Sequence, residues 1–231
     1  MHFKSPKIFA VICCLFMNSI ISAQEDWAQL DVYKEANKNM NEPAVTEERI
    51  VFYGNSITIG WLDAMPGFFE GKAYINRGIS GQTTPQMLVR FRQDVISLEP
   101  KAVVILAGTN DIAGNTGPMT LKQILGNLIS MSQLAKTNNV EVVLCSVLPA
   151  SDYPWRPGLE PNLKIPQLNA MIKEYAENNN VIYLDYFSAL VNDANGMDKE
   201  LAHDGVHPTK KGYEIMAPLA ENAINEALNR K

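Results

Sequence analysis

The sequence predicts an α/β fold, a three-layer α/β/α sandwich built on a parallel sheet. Three observations lead there. Short runs rich in β-branched residues alternate along the chain with longer amphipathic segments. Those short runs are apolar almost throughout, the pattern of strands covered on both faces rather than on one. Finally, 46% hydrophobic and 19% charged residues over 231 positions supply one sizeable core and are too apolar for a disordered chain.

Residues 1–23 stand apart from the fold. Lys4 and Lys7 make a basic start, 8–21 is nearly uninterrupted apolar sequence, and Ser22 and Ala23 give way to Gln24, Glu25 and Asp26. This is the layout of a secretory signal peptide cleaved near Ala23, which predicts an exported protein, periplasmic or extracellular. An uncleaved anchor is the alternative, against which the run is short for a membrane span. Cys13 and Cys14 lie inside the apolar run with Ile12 before them, which disfavours a lipoprotein signal.

Residues 24–48 place Trp27, Leu30, Tyr33 and Lys34 at helix spacing and end in a loop at Pro43, predicting an N-terminal helical extension packed on the domain of residues 49–231. Within that domain 49–53, 101–106, 140–145 and 181–185 read as strands, with 73–76 a weaker fifth. Helices are predicted over 84–98, 120–137, 163–178 and 210–228. The first opens after Thr83 or Thr84 and stops at Pro100, and the second carries Leu121, Ile124, Leu125, Leu128, Met131 and Leu134 on one stripe.

Composition narrows the function. Without the leader the chain has 18 basic and 25 acidic residues, a formal charge of −7; this balance argues against nucleic acid as a partner. One cysteine, Cys145, then remains, inside a strand-like run, and the expected reading is a buried side chain rather than a nucleophile. Two histidines remain, His203 and His207. Neither a zinc-binding pattern nor a glycine-rich phosphate loop is present, so no metal or other cofactor is expected.

Ligands of parallel α/β sheets bind at the carboxyl ends of the strands. Four polar, glycine-containing clusters follow predicted strands: Gly54-Asn-Ser56-Ile-Thr58, Asn76 to Thr84, Gly108-Thr-Asn110-Asp111 and Asp204-Gly-Val-His207-Pro208. Each alone is compatible with an ordinary turn. Together they meet the requirements of acyl transfer. A serine hydroxyl needs a base within hydrogen-bond reach, and the base needs an acceptor on its other nitrogen. Ser56, His207 and Asp204 fit those roles. The Ser56 amide, the Gly81 amide and the Asn110 side chain can serve as donors to an oxyanion. The order Ser, Asp, His matches the α/β-hydrolases, but the G-x-S-x-G elbow is absent.

These four blocks, in this order, resemble the SGNH (GDSL-type) esterase/acylhydrolase family. The resemblance runs from about residue 49 to the last helix, and through Gly78-Ile-Ser-Gly81 and Gly108-Thr-Asn110-Asp111 it leans toward the platelet-activating-factor acetylhydrolase-like members. It implies a flavodoxin-like sandwich on a five-stranded parallel sheet, Ser56 as nucleophile, Asp204 and His207 completing a triad, and Ser56, Gly81 and Asn110 forming the oxyanion hole. Two departures stand out: Asn55 and Gln82 occupy positions where the family usually has Asp. Asn55 retains an acceptor and adds a donor.

Further residues are candidates for substrate contact. Residues 148–166 form a long proline-rich connection after the fourth strand, holding Tyr153, Trp155 and Arg156, and loops of this length often serve binding. Trp61 reads as pocket wall or core, and His203 as a rival base, a pocket residue or an exposed loop residue. With no long apolar tunnel in evidence, small acyl groups are expected, acetyl foremost, on an acetylated carbohydrate or similarly polar alcohol. The alternatives are a lysophospholipase or thioesterase of the same family and, in another class, a catalytically silent carbohydrate-binding relative.

Overall fold

The computed structural model describes residues 26–230; the predicted leader lies outside the described residues. Five strands, β1 (Ile50–Gly54), β2 (Tyr74–Gly78), β3 (Ala102–Leu106), β4 (Glu141–Cys145) and β5 (Ile182–Leu184), form one sheet in the order β2-β1-β3-β4-β5. Every pairing is parallel, as the alternation of strands and helices requires. Chain order reverses between β1 and β3, which makes the carboxyl end of that pair the expected crevice.

Side chains alternate between the faces along each strand. Val51, Tyr53, Val103, Ile105, Val142 and Leu144 face a core shared with α4 (Thr84–Asp94), α6 (Leu121–Thr137) and α7 (Pro161–Asn178). Ile50, Phe52, Val104, Leu106, Val143 and Cys145 face the opposite core, covered by α3 (Trp61–Ala64) and α9 (Lys210–Asn229). Both faces are therefore covered, giving the three layers. The remaining helices, α1 (Lys34–Lys38), α2 (Ser56–Ile59), α5 (Thr109–Ile112) and α8 (Phe187–Leu190), are single turns, three of them directly following a strand's carboxyl end.

Two expectations are corrected. The N-terminal extension holds one short helix, α1, and otherwise turns, because it lacks a sustained apolar stripe: Ala28 is its buried hydrophobic residue. It is fastened instead by polar bonds. Gln82 Nε2 donates to the Ala28 carbonyl (2.8 Å), Gln86 Nε2 to Trp27 (2.7 Å) and Gln93 Nε2 to Leu30 (2.6 Å), while Tyr33 donates to the Gly78 carbonyl. In addition, the proline-rich connection ends earlier than predicted. Pro161 starts α7 at a position where no amide hydrogen is needed, and Pro166 lies inside that helix.

The strand ends are tied together by Arg90, which has no exposed surface. Its guanidinium donates to Gln82 Oε1 (2.5 Å), Asp94 Oδ2 (2.9 Å) and the carbonyls of Gly54 (3.0 Å) and Arg77 (2.9 Å), and lies 4.2 Å from the Tyr53 ring centroid. Removing one side of a buried charge pair leaves the other uncompensated. Arg90→Met is expected to lower unfolding free energy in urea titration by roughly 3–5 kcal/mol, and pairing it with Asp94→Leu should recover part of that loss. A change within ~1 kcal/mol for the single variant would contradict this role.

Candidate active site

Ser56 opens α2 directly after β1, capped by Asn55, whose Oδ1 accepts from the Ile57 amide at 3.0 Å. The asparagine thus caps the helix that Ser56 opens. The short helix is held from outside. Asn76 Nδ2 donates to the Thr58 carbonyl (2.7 Å), and Tyr213 of α9 donates to the Ile57 carbonyl (2.7 Å). Gly78 at the end of β2 permits its close approach, since a Cβ there would stand 2.3 Å from the Ile59 nitrogen.

The loop between α8 and α9 brings His207 to Ser56. Ser56 Oγ lies 2.8 Å from His207 Nε2, and His207 Nδ1 lies 2.7 Å from Asp204 Oδ2. The other oxygen, Asp204 Oδ1, accepts from the backbone amides of Val206 (3.0 Å) and His207 (2.8 Å). One carboxylate therefore shapes the loop and orients the imidazole. Partial burial pushes the Asp204 carboxyl up, but its bonds to the His207 amide, the His207 ring and the Val206 amide outweigh that and hold it below the ordinary value. With the proton on Nδ1 donated to Asp204, Nε2 is left to accept the Ser56 hydroxyl proton.

Gly54, Gly78 and Leu106 lie side by side in the sheet register, so the segments carrying Ser56, Gly81 and Asn110 leave from adjacent strand ends. Gly81 has φ +76°, a conformation suited to glycine. Asn110 is buried and its Nδ2 donates to the Gln82 carbonyl at 2.9 Å, one residue from Gly81; the second hydrogen of that amide remains for a ligand. Among the described residues the amides of Ser56 and Gly81 have no hydrogen-bond partner. No group of three His, Cys, Asp or Glu side chains converges as a metal site among the described residues.

The other predicted residues divide. Trp155 is 44% exposed and its ring centroid lies 6.0 Å from that of His207. Tyr153, expected to touch substrate, is fully buried: it stacks beneath Trp155 at 5.2 Å and its hydroxyl accepts from Thr109 Oγ1 (3.0 Å). The Arg156 guanidinium donates to the carbonyls of Ala113 (2.9 Å) and Gly114 (2.6 Å), so it pins the loop after β4 to the loop after α5. Trp61 is core, 2% exposed among Phe52, Phe68 and Tyr213. His203 is exposed in the same loop as His207, and its amide donates to the His207 carbonyl (3.3 Å). Cys145 is buried, and burial pushes its thiol up.

Sequence reading passed over Arg90 and Tyr213, and took Asn76 only as the start of a polar cluster; all three hold the site without entering it. Arg90 did leave a signal: with Met87, Phe91 and Asp94 it falls on the buried stripe of α4, and an Arg–Asp pair four residues apart on such a stripe marks a buried ion pair.

The parallel sheet and the residues gathered at its crevice point to one family. Residues 52–215 match the GDSL-like Lipase/Acylhydrolase family, and the chain belongs to that family. A Bacteroides fragilis protein, solved as a candidate acylhydrolase, superposes with a TM-score of 0.87 at 45% identity, covering 89% of this chain and all of that one. An acetylxylan esterase of Xylanibacter ruminicola is 24% identical over 222 residues, covering 81% of this chain but 45% of that longer protein. An acetylxylan esterase of Geobacillus stearothermophilus is 25% identical over 203 residues, covering 74% of this chain and 90% of that one.

Asp111, next to Asn110, has an unusual environment. Its Oδ1 accepts from the Thr84 amide (2.9 Å) and hydroxyl (2.5 Å), whereas Oδ2 is buried without a partner. Burial raises the carboxyl to about 6 against the opposing bonds from Thr84. The folded state then holds this proton to higher pH than the unfolded chain does, so stability falls as pH rises toward 6. Asp111→Asn lacks that titration. Its stability relative to wild type should rise by roughly 1–3 kcal/mol between pH 4.5 and pH 8, read by urea melts at both values. A constant difference across that range would refute the assignment.

Proposed function

We propose that the protein is an exported serine esterase that removes short acyl groups, acetyl foremost, from a carbohydrate or similarly polar alcohol. The observation that carries this is the unbroken hydrogen-bonded chain from Ser56 Oγ through His207 to Asp204 at the start of a helix. Ser56 Oγ attacks the ester carbonyl carbon as its proton passes to His207 Nε2. Negative charge develops on the carbonyl oxygen, facing the Ser56 and Gly81 amides and the free hydrogen of Asn110. Collapse expels the alcohol, which takes the proton from His207 and leaves acyl-Ser56. Water then attacks with His207 again as base, releasing the carboxylic acid and the serine.

The two acetylxylan esterase relatives support the acetyl and carbohydrate parts of this reading. The leader-like residues 1–23 support export. No described helix is long and apolar enough to cross a membrane.

Assays with p-nitrophenyl esters of increasing acyl length should peak at acetate; a peak at long chains would favour lipid-like substrates. Ser56→Ala should lose about 10⁴-fold or more in kcat while remaining folded. Asn110→Ala should lose roughly 10²–10³-fold in kcat, with a smaller rise in KM. Full turnover in either variant would remove that residue from the mechanism.

A further inference from the structure

Next to Gly81, where the N-terminal extension crosses the β2 edge of the sheet, lies a second cavity of about 300 Å³. Neither Ser56 nor His207 lines it. Its walls are Trp27 and Gln29 from the extension, Ser80 to Gln82 after β2, Gln86 of α4, and Asn115 and Thr116 after α5.

The lining divides into a fixed floor and an open rim. Gln82 and Gln86 are engaged: Gln82 accepts from Arg90 and donates to Ala28 and Gln29, and Gln86 donates to the Trp27 carbonyl. These bonds seat the backbone carrying Trp27 and Gln29, so the indole, 42% exposed, is presented from a fixed segment. On the rim the side-chain atoms Gln29 Nε2, Ser80 Oγ and Asn115 Oδ1 have no hydrogen-bond partner among the described residues. Asn115 Nδ2, by contrast, donates to the Gly81 carbonyl (3.0 Å).

No Asp, Glu, Lys, Arg or His lines this cavity. A phosphate or carboxylate would find no counter-charge, and an acyl chain would meet mostly amides and hydroxyls. Neutral amides and hydroxyls beside an exposed aromatic face suit a ring with hydroxyls at its edge and C–H bonds on its face. We propose that this cavity is a subsite for a neutral sugar unit on the alcohol side of the ester, with Trp27 as its platform. Gly81 borders both places, so the sugar bound there neighbours the crevice that takes the acylated unit. The inference rests on the esterase reading and names the part of the substrate that the extension recognises.

The test compares wild type, Trp27→Ala and Trp27→Phe on acetylated xylo-oligosaccharide and on p-nitrophenyl acetate. Binding of unacetylated xylo-oligosaccharide is measured in parallel by calorimetry. The ratio of kcat/KM on the oligosaccharide to that on p-nitrophenyl acetate should fall about 10-fold in Trp27→Ala, mostly through KM, and Trp27→Phe should restore most of it. Unacetylated oligosaccharide should bind wild type and lose its binding in Trp27→Ala. An unchanged ratio, or an equal fall on both substrates, together with binding that ignores Trp27, overturns the subsite. Trp27-dependent binding without hydrolysis of the acetylated oligosaccharide leaves the subsite standing and removes the acetylated-sugar reading of the esterase instead.

Discussion

A guanidinium with no exposed surface can persist only if its donors are satisfied and its charge is matched. Arg90 meets both conditions by binding Asp94 four residues along α4, the ends of β1 and β2 through the Gly54 and Arg77 carbonyls, and the Gln82 side chain. Much of the site depends on this one side chain. Gly54 precedes Ser56 by two residues. Gln82 follows Gly81 and offers its carbonyl to Asn110. Movement of Arg90 would therefore be felt directly at the ends of β1 and β2 and, through Gln82, at Asn110. Gln82 in the position where the family usually has Asp fits this network: its amide both accepts from Arg90 and donates to the N-terminal extension.

The helix that presents Ser56 is one turn long and could not be stable alone, because nucleation of an isolated turn is unfavourable. Its order is imposed from three sides, by the Asn55 cap, by Asn76 from β2 and by Tyr213 from α9. The glycines at the strand ends remove the volume that would keep these elements apart. The His207 loop follows a different economy. Asp204 closes its own turn with one oxygen and holds the imidazole with the other, so the loop's fold and the ring's orientation share one residue.

Around this centre lie two segments attached to the sandwich in different ways. The loop after β4 buries Tyr153, exposes Trp155 beside His207 and clamps itself through Arg156. The N-terminal extension lies along α4 through glutamine side chains bonded to its carbonyls, with Ala28 its buried apolar residue. A segment held mainly by polar bonds, as the extension is, can change its exposed residues without disturbing the sandwich.

The sequence by itself determined the layers, the succession of the five strands and four long helices, and the residues meeting at the crevice. Those features are written locally: β-branched runs, helical stripes, and polar glycine turns at strand ends. That Ser56, His207 and Asp204 come together was legible because a serine, a histidine and an aspartate follow strand ends and Asp204 lies three residues from His207. Tertiary structure alone decided which aromatics face solvent. Trp61 and Trp155 have the same chemistry, yet one is enclosed by Phe52 and Phe68 while the other stands on Tyr153. It also decided that the extension would be held by side-chain amides rather than by a helical stripe, and that Arg90 would join the ends of β1 and β2 to the Gln82 side chain. Such roles depend on partners tens of residues away, and a local pattern carries no record of which distant carbonyl a guanidinium or an amide will meet.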